Sequence, residues 1–234
     1  MIDGLCPYPE LKETDLPWLG HVPAHWEVLR SGSVFREVVQ TGFPSLELLS
    51  IKSGVGIVKQ SSTGRRIRAS EDRSLYKRIE PGWLGYNLMN AFFGGIGISS
   101  IEGILSPAYA VARPKFEIHA KYFHYLYQSP VYLTQFNRES YGIMYERNRL
   151  YFDRFKIIPC PIPPLREQQL IVRFLLSQPK KVSPRMRGFP SNSSKKHPHA
   201  SYWPDGTRAT STACIFPHPC RLLPLWACPI FPLI

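Results

Sequence analysis

Three features that would quickly assign a class are missing from this chain. Its five cysteines include no Cys-x-x-Cys pair, which leaves a zinc site and a disulfide framework without support. No run approaches ~18 consecutive apolar residues, so the sequence predicts no transmembrane helix. The N-terminus lacks the basic-then-apolar pattern of a secretory signal peptide. We therefore expect a cytoplasmic protein with no membrane association.

Motifs that carry catalysis are also scarce. The run Phe93-Gly-Gly-Ile-Gly97 fits the loose F-x-G-x-G pattern of S-adenosylmethionine sites, but no Asn-Pro-Pro-Tyr or Asp-Pro-Pro-Tyr accompanies it, and tight-turn glycines are the favoured interpretation. Asp153-Arg-Phe-Lys156 resembles the end of a nuclease motif without a paired upstream acid to hold Mg²⁺. We predict no catalytic residue, metal site or cofactor. The alternative is a small methyltransferase or nuclease built on these two runs.

The charge is basic and unevenly distributed. The net charge of +12 and a pI near 9.6 suit a polyanionic partner, and the absence of a membrane-binding amphipathic helix favours nucleic acid over lipid. Residues 177–234 contribute eight Lys/Arg against one Asp, a net +7, so residues 1–176 carry only +5. The excess in the organised part of the chain is therefore modest.

Composition changes abruptly after Leu176. The next 58 residues contain ten prolines and no glutamate, and their helical and strand patterns vanish. A helix that begins at Leu165 stops abruptly there. We expect the reading frame to shift near residue 177, with a genuine proline-rich tail as the alternative. The predicted division is a recognition domain at 1–164, a helix start at 165–177 and an unstructured tail at 178–234.

Patterns in residues 1–176 indicate an α+β fold. Alternation over 46–60, with glycines at 54 and 56, predicts a hairpin. Strands are expected at 83–89 and 109–113, one or two helical turns at 72–78, and helices at 119–128 and from 130 to about 137. Ser129 is the expected N-cap of the second helix, with Pro130 in its first turn. Gly94, Gly95, Gly97 and Gly103 are expected in tight turns.

Residues 155–169 form the most informative run. Ile157 and Ile158 suit a buried strand, the four prolines that follow (159, 161, 163, 164) remove backbone donors, and a helical apolar pattern begins at Leu165. By this pattern alone the run is a strand–loop–helix corner that cannot lie in the middle of a sheet.

The same run resembles the IPLPPLxEQ segment of the specificity (S) subunits of type I restriction-modification systems. Trp18-Leu-Gly20 and Pro23-x-His-Trp26 are similar to the N-terminal motif of that family. Blocks at 81–89, 94–97, 102–109 and 151–155 resemble its central sheet, so the resemblance covers about residues 8–176.

The resemblance implies a target-recognition domain with a central mixed or antiparallel sheet and flanking helices, followed by the start of a long dimer-forming helix. It implies a non-catalytic subunit that reads half of a bipartite site in double-stranded DNA, while separate modification and restriction subunits methylate and cleave. S subunits normally have two such domains and two long helices, so this chain resembles a truncated one. A homodimer is possible, and an inert remnant is a further alternative.

Two basic loops are the candidate DNA-contacting segments. The first basic loop (62–68) and the second basic loop (141–149) combine arginines with small or aromatic residues, and arginine suits both phosphate contact and bidentate reading of guanine. The competing interpretation of each is an ordinary solvated loop. The candidate residues are Arg65, Arg66, Arg68, Arg147, Asn148 and Arg149.

Overall fold

A computed structural model describes residues 8–64, 72–142 and 148–177. The strands in these ranges are β1 (Leu11–Glu13), β2 (His21–Pro23), β3 (Glu27–Arg30), β4 (Phe35–Glu37), β5 (Leu49–Lys52), β6 (Gly56–Lys59), β7 (Lys77–Ile79), β8 (Leu84–Asn87), β9 (Ile96–Ile98), β10 (Gly103–Leu105), β11 (Tyr109–Pro114) and β12 (Pro159–Ile162). The helices are α1 (Ser31–Val34), α2 (Ala120–Gln128), α3 (Pro130–Glu139), α4 (Phe152–Phe155) and α5 (Leu165–Ser177).

A four-stranded antiparallel sheet in the order β4-β11-β8-β9 forms the centre of the fold. One face is covered by α2, α3 and α4, here called the helix layer, through a core of buried aromatic side chains. The other face is covered by the β5–β6 hairpin and the β7–β10 pair, here called the strand layer, through five buried aliphatic residues. The expected α+β class with an antiparallel central sheet is confirmed, with its helices packed on one face of that sheet.

Gly85 shows why the strand layer approaches the central sheet so closely. A Cβ atom at this position would lie 3.0 Å from the terminal methyl carbons of Ile57, Ile79 and Leu105. Three side chains from the strand layer therefore fill the space that a side chain at residue 85 would occupy. The next residue, Tyr86, is fully buried in the aromatic core, because successive residues of a strand point to opposite faces.

The proline run forms a strand rather than a loop, so the strand expected at Ile157 and Ile158 lies a few residues later in the chain. Residues 157–158 lie in a turn, and β12 begins at Pro159, paired antiparallel with β3 in a two-stranded sheet. The Ser31 N–H donates to the Ile158 carbonyl at 2.8 Å. In this register the backbone N–H and C=O groups of residues 158, 160 and 162 point toward β3, while the carbonyls of Pro159 and Pro161 point away from it. Prolines at these places remove no ladder donor, which is why the strand tolerates them.

Tyrosine hydroxyls satisfy the outward carbonyls of β12. Tyr132 donates to the Pro159 carbonyl at 2.9 Å, and Tyr122 donates to the Pro161 carbonyl at 3.0 Å. Both tyrosines belong to the helix layer and are fully buried. The strand is therefore bonded by β3 on one side and by α2 and α3 on the other.

Two neighbouring residues anchor the first turn of α5. The Glu167 carboxylate accepts hydrogen bonds from Trp26 Nε1 at 2.9 Å and Tyr8 Oη at 3.2 Å, and it contacts His25 Nε2 at 2.7 Å. The Gln168 amide accepts from the His119 N–H and donates to the Pro163 carbonyl, both at 2.9 Å. Glu167 thus ties α5 to the N-terminal segment, and Gln168 ties it to the start of α2.

The hairpin, the strands near 83–89 and 109–113 and the helices starting at 120, 130 and 165 agree with the sequence patterns. The helical turn expected at 72–78 is wrong, because β7 begins at Lys77 and pairs with β10. Gly97 and Gly103 lie in strands rather than turns. The Ser129 hydroxyl donates back to the Leu126 carbonyl at 2.8 Å and makes no capping bond to α3.

The predicted tail, residues 178–234, lies outside the described residues, so the frame-shift expectation stays a prediction. Among the helices that the structure does describe, none has the length and apolar character needed to cross a membrane.

Candidate nucleic-acid interface

The second basic loop closes on a short antiparallel bridge. The Tyr141 N–H donates to the Arg149 carbonyl at 3.1 Å, and the Arg149 N–H donates to the Tyr141 carbonyl at 3.0 Å. Leu150 follows, is fully buried, and donates its N–H to the Leu88 carbonyl at 2.8 Å. The buried Leu150 fixes the base of the loop to the end of β8, while the Arg149 side chain is exposed.

Aromatic and cationic side chains surround this base. The rings of Tyr141 and Tyr151 lie 5.1 Å apart between centroids, and the Arg154 guanidinium lies 5.8 Å from the Tyr141 ring centroid. Arg154 also approaches Glu139 at 3.7 Å, with half of its side chain exposed. Arg149 has no ion pair within the part of the chain that the structure describes. The described surface therefore presents two guanidiniums, of which that of Arg154 lies near a carboxylate, and an exposed tyrosine ring.

The first basic loop is described only at its two stems. Gly64, with φ of +66°, follows a 3-10 turn at Gln60–Thr63, and the chain resumes at Asp72 before β7. Lys77 at the second stem donates its Nζ to the Tyr109 carbonyl at 2.6 Å. Burial lowers the pKa of the Lys77 ammonium, and the Glu37 carboxylate opposes that shift.

The second stem of the first loop and the base of the second meet at the same end of the central sheet. Lys77 contacts the carbonyl of Tyr109, and Tyr109 pairs with Asn87. The neighbouring Leu88 donates to the Ala108 carbonyl at 3.2 Å and accepts from Leu150 at 2.8 Å. This edge, where β8 ends and β11 begins, is here called the Asn87 end.

Of the six predicted site residues, the structure describes two. Asn148 is half-buried and Arg149 is exposed, both beside the Asn87 end. Arg65, Arg66, Arg68 and Arg147 lie outside the described residues, so the assignment of all six stays a prediction. The sequence patterns did not single out Tyr151 and Arg154. Their signal is a short aromatic and basic run beside the loop, within the 151–155 block that resembles the family's central sheet.

The glycine-rich run at 93–97 has a structural explanation. A Cβ atom on Gly95 would lie 2.7 Å from the Asn90 carbonyl oxygen, and one on Gly94 would lie 2.8 Å from Gln128 Oε1. Gly94 also has φ of +81°, a backbone conformation that residues with a side chain rarely adopt. Close packing and backbone conformation therefore account for both glycines. No group of three or more potential metal-ligating side chains is found among the described residues.

The described fold is that of a small α+β domain, with the base of the second basic loop and one stem of the first at the same end of its sheet. Residues 89–178 match the family model of the type I restriction modification DNA specificity domain. This part of the chain is therefore identified as such a domain, which confirms the resemblance found in the sequence. The match includes the second basic loop and α5 and begins beyond the first basic loop.

Two solved structures resemble the chain. The HsdS subunit from Thermoanaerobacter tengcongensis is 18% identical, with a TM-score of 0.42 over 70% of this chain and 39% of that one. A structure reported for complex assembly and conformational transition of the type I R-M system is 20% identical, with a TM-score of 0.41 over 72% of this chain and 40% of that one. The chain thus spans about two fifths of their length. No curated protein matches it.

Proposed function

We propose that this chain is a sequence-specific DNA-binding subunit of a type I restriction-modification complex. It reads half of a bipartite site and directs separate methyltransferase and endonuclease subunits. The observation that carries the proposal is the specificity-domain match at 89–178, which spans the exposed arginine and aromatic surface at the Asn87 end.

The geometry suits binding through loops on a rigid support. Leu150 is buried and bonded to β8, so the backbone beside Arg149 is held in place while its side chain stays free to reach a phosphate or a guanine edge. The exposed ring of Tyr141 adds an apolar and hydrogen-bonding surface next to the two guanidiniums. The remaining predicted arginines, 65, 66, 68 and 147, are proposed to contact DNA as well.

The proposed activity is binding rather than catalysis, in the cytoplasm, without a cofactor. The proposed partners are double-stranded DNA and the modification and restriction subunits, with a homodimer as one possible assembly. In this scheme residues 1–164 recognise DNA, and residues 165–177 begin the helix that meets the other subunits. Anchoring of that helix by Glu167 and Gln168 would fix its direction relative to the recognition surface.

The test is a selection of bound sequences from a random duplex library, followed by salt titration on the selected duplex, with the full chain alone and with a modification subunit. Arg149→Ala should weaken binding and lower the slope of log K against log salt by about one if Arg149 holds a phosphate. If Arg149 reads a guanine, the loss should be about 1–3 kcal/mol and confined to one base position.

Arg113→Ala is the matched control. Arg113 is an exposed arginine on β11, near the strand end opposite Tyr109, so its loss should leave affinity and slope unchanged. Equal effects of the two substitutions would remove the second loop from the interface. If the selection enriches no sequence, the interpretation of the chain as an inert remnant is favoured. If the repurified chain methylates or cleaves DNA and this activity is lost on substitution of Gly95 or Asp153, the interpretation as an enzyme is favoured.

A further inference from the structure

The turn at residues 90–95 holds its backbone tightly while exposing one large apolar side chain. Backbone hydrogen bonds run from Phe93 to Asn90, from Gly94 to Ala91 and from Gly95 to Asn90, at 3.0, 3.0 and 2.8 Å. Ala91, Gly94 and Gly95 are buried, yet the Phe93 side chain is 65% exposed. The chain therefore fixes this turn in place without giving Phe93 a place in the core.

A side chain from the helix layer clamps the same turn. Gln128, the last residue of α2, donates its amide to the carbonyls of Gly94 and Ile96. The Asn87 N–H donates to the Gly95 carbonyl at 2.8 Å, which joins the turn to β8. The turn that carries Phe93 is thus held at the Asn87 end, and Leu88, the residue after Asn87, accepts the hydrogen bond from Leu150 at the base of the second basic loop.

Two further exposed apolar side chains lie on backbone segments beside Phe93, and the three together are here called the apolar patch. Met89, at the start of the same turn, is 39% exposed, and Val55, on the tip of the β5–β6 hairpin, is 53% exposed. The hairpin tip touches the turn, since the Gly54 nitrogen lies 3.5 Å from the position of a Cβ atom on Gly94. The patch is therefore formed by two adjacent backbones.

The two segments that carry this patch have a charge that suits a polyanionic partner. Residues 88–98 and 50–58 contain no acidic side chain, and the one charged residue among them is the exposed Lys52. The nearby loop base adds Arg149 and Arg154. The loop base also carries two carboxylates, Glu139 at 3.7 Å from Arg154 and the exposed Asp153. The two segments that bear the apolar side chains have no acidic residue, so these side chains can approach DNA without desolvating a carboxylate of their own segments.

We infer that the turn at residues 90–95 is a second DNA-contacting element, which presents Phe93 for apolar contact with thymine methyl groups in the major groove beside the second basic loop. The inference rests on the proposed function and deepens it. Apolar contacts of this kind carry sequence information that phosphate contacts lack, because the thymine methyl group distinguishes one base in the major groove. The turn's rigidity lets Phe93 bind without ordering a mobile loop.

The experiment compares Phe93→Ala with Phe116→Ala in the full chain on the selected duplex. Phe116 is a matched control, 42% exposed and located just beyond the end of β11 opposite Tyr109. We expect Phe93→Ala to weaken binding about five- to tenfold, the low end of what the loss of one base contact costs in a duplex site. Its salt slope should stay parallel to that of the parent, since no ion is released. Phe93→Leu should recover part of the affinity.

A crosslinking arm detects the contact when binding is weak. Benzoylphenylalanine at position 93 should crosslink to DNA on irradiation, and the same group at 116 should not. Unchanged thermal midpoints for all variants are expected, because both side chains are exposed.

Each outcome separates the inference from the proposed function. If Arg149→Ala weakens binding while Phe93→Ala behaves like Phe116→Ala and no crosslink forms, the inference is overturned and the proposed function stands. If Phe93→Ala binds DNA like the parent but loses a modification subunit, the turn is a protein interface and the inference is again overturned. If the parent binds no DNA under any condition, both fail.

Discussion

The two faces of the central sheet are packed by different chemistry. On the helix-layer face, rings meet edge to face, as between Phe35 and Phe123 at 5.3 Å and between Tyr127 and Phe155 at 5.5 Å. On the strand-layer face the buried side chains are aliphatic, and they close over Gly85. Each layer also contributes one described segment to the Asn87 end, the helix layer the base of the second basic loop and the strand layer Lys77, at the second stem of the first.

This difference shows how one surface can be assembled from two independent supports. Rings fill the wider space under the helices, whereas a missing side chain lets the strand layer approach the sheet. If the layers are independent, a substitution that destabilises the core of one layer should first affect the loop that this layer carries. The stability of each layer can therefore be tested separately from the proposed DNA surface.

The largest effect is expected from Phe155→Ala. Phe155 is fully buried and has ring contacts with Phe35, Tyr86, Tyr127 and Phe136. Its loss leaves a cavity between α4 and the sheet and should lower the free energy of unfolding by about 3–5 kcal/mol. Urea denaturation followed by tryptophan fluorescence measures the change. A loss below about 1 kcal/mol would show that the aromatic core collapses around the gap.

Gly85→Ala tests the opposite face with a smaller expected effect. The added methyl group would lie at 3.0 Å from three side-chain carbons, so the strand layer must move or strain. We expect a cost of about 1–3 kcal/mol by the same denaturation assay, as for other overpacked cores. Gly82→Ala is not a suitable control, because Gly82 has φ of +83° and would add backbone strain. The double variant Gly85→Ala with Leu105→Ala is better, because relief of the crowding should make the two costs less than additive. Full additivity would contradict the packing described for Gly85.

The helix layer was predictable from sequence because its signals are local. The apolar spacing of Tyr122, Phe123, Leu126 and Tyr127 defines the buried face of α2, and all four are fully buried. The start of α5 at Leu165 follows from the same kind of spacing. These patterns repeat within a few residues, so they do not depend on what lies across the core.

The strand layer and the site were harder to predict because their determinants are distant in sequence. β7 has three residues, too few for an alternation pattern, and its partner β10 lies more than twenty residues away. Pro159 and Pro161 predict the end of a strand from sequence alone. Only the structure shows that Tyr132 and Tyr122, from helices distant in sequence, lie beside this strand and donate hydrogen bonds to the two proline carbonyls. The meeting of the two loop stems likewise depends on contacts of Lys77 with Tyr109 and of Leu88 with Leu150.

The smallest predicted effect concerns His124, which lies where the two layers meet. Its ring approaches the positions of Cβ atoms on Gly56 and Gly97 at 3.1 and 3.3 Å, so α2 packs a histidine against the hairpin and β9. Burial lowers the pKa of His124 below its usual 6.5. The folded state thus favours the neutral ring, and its stability is complete above pH 6.5 and falls as pH drops below that value.

The loss from one such group cannot exceed about 1.4 kcal/mol per pH unit. His124→Gln should flatten the dependence of unfolding free energy on pH between 6.5 and 5. His119→Gln must be measured alongside it, because burial and Lys121 also lower the pKa of His119. This second substitution should remove a separate part of the pH dependence of the unfolding free energy. If His124→Gln leaves the pH profile unchanged while His119→Gln flattens it, the packing of His124 against Gly56 and Gly97 does not suppress its protonation, and the junction between the layers is more open to water than its geometry indicates.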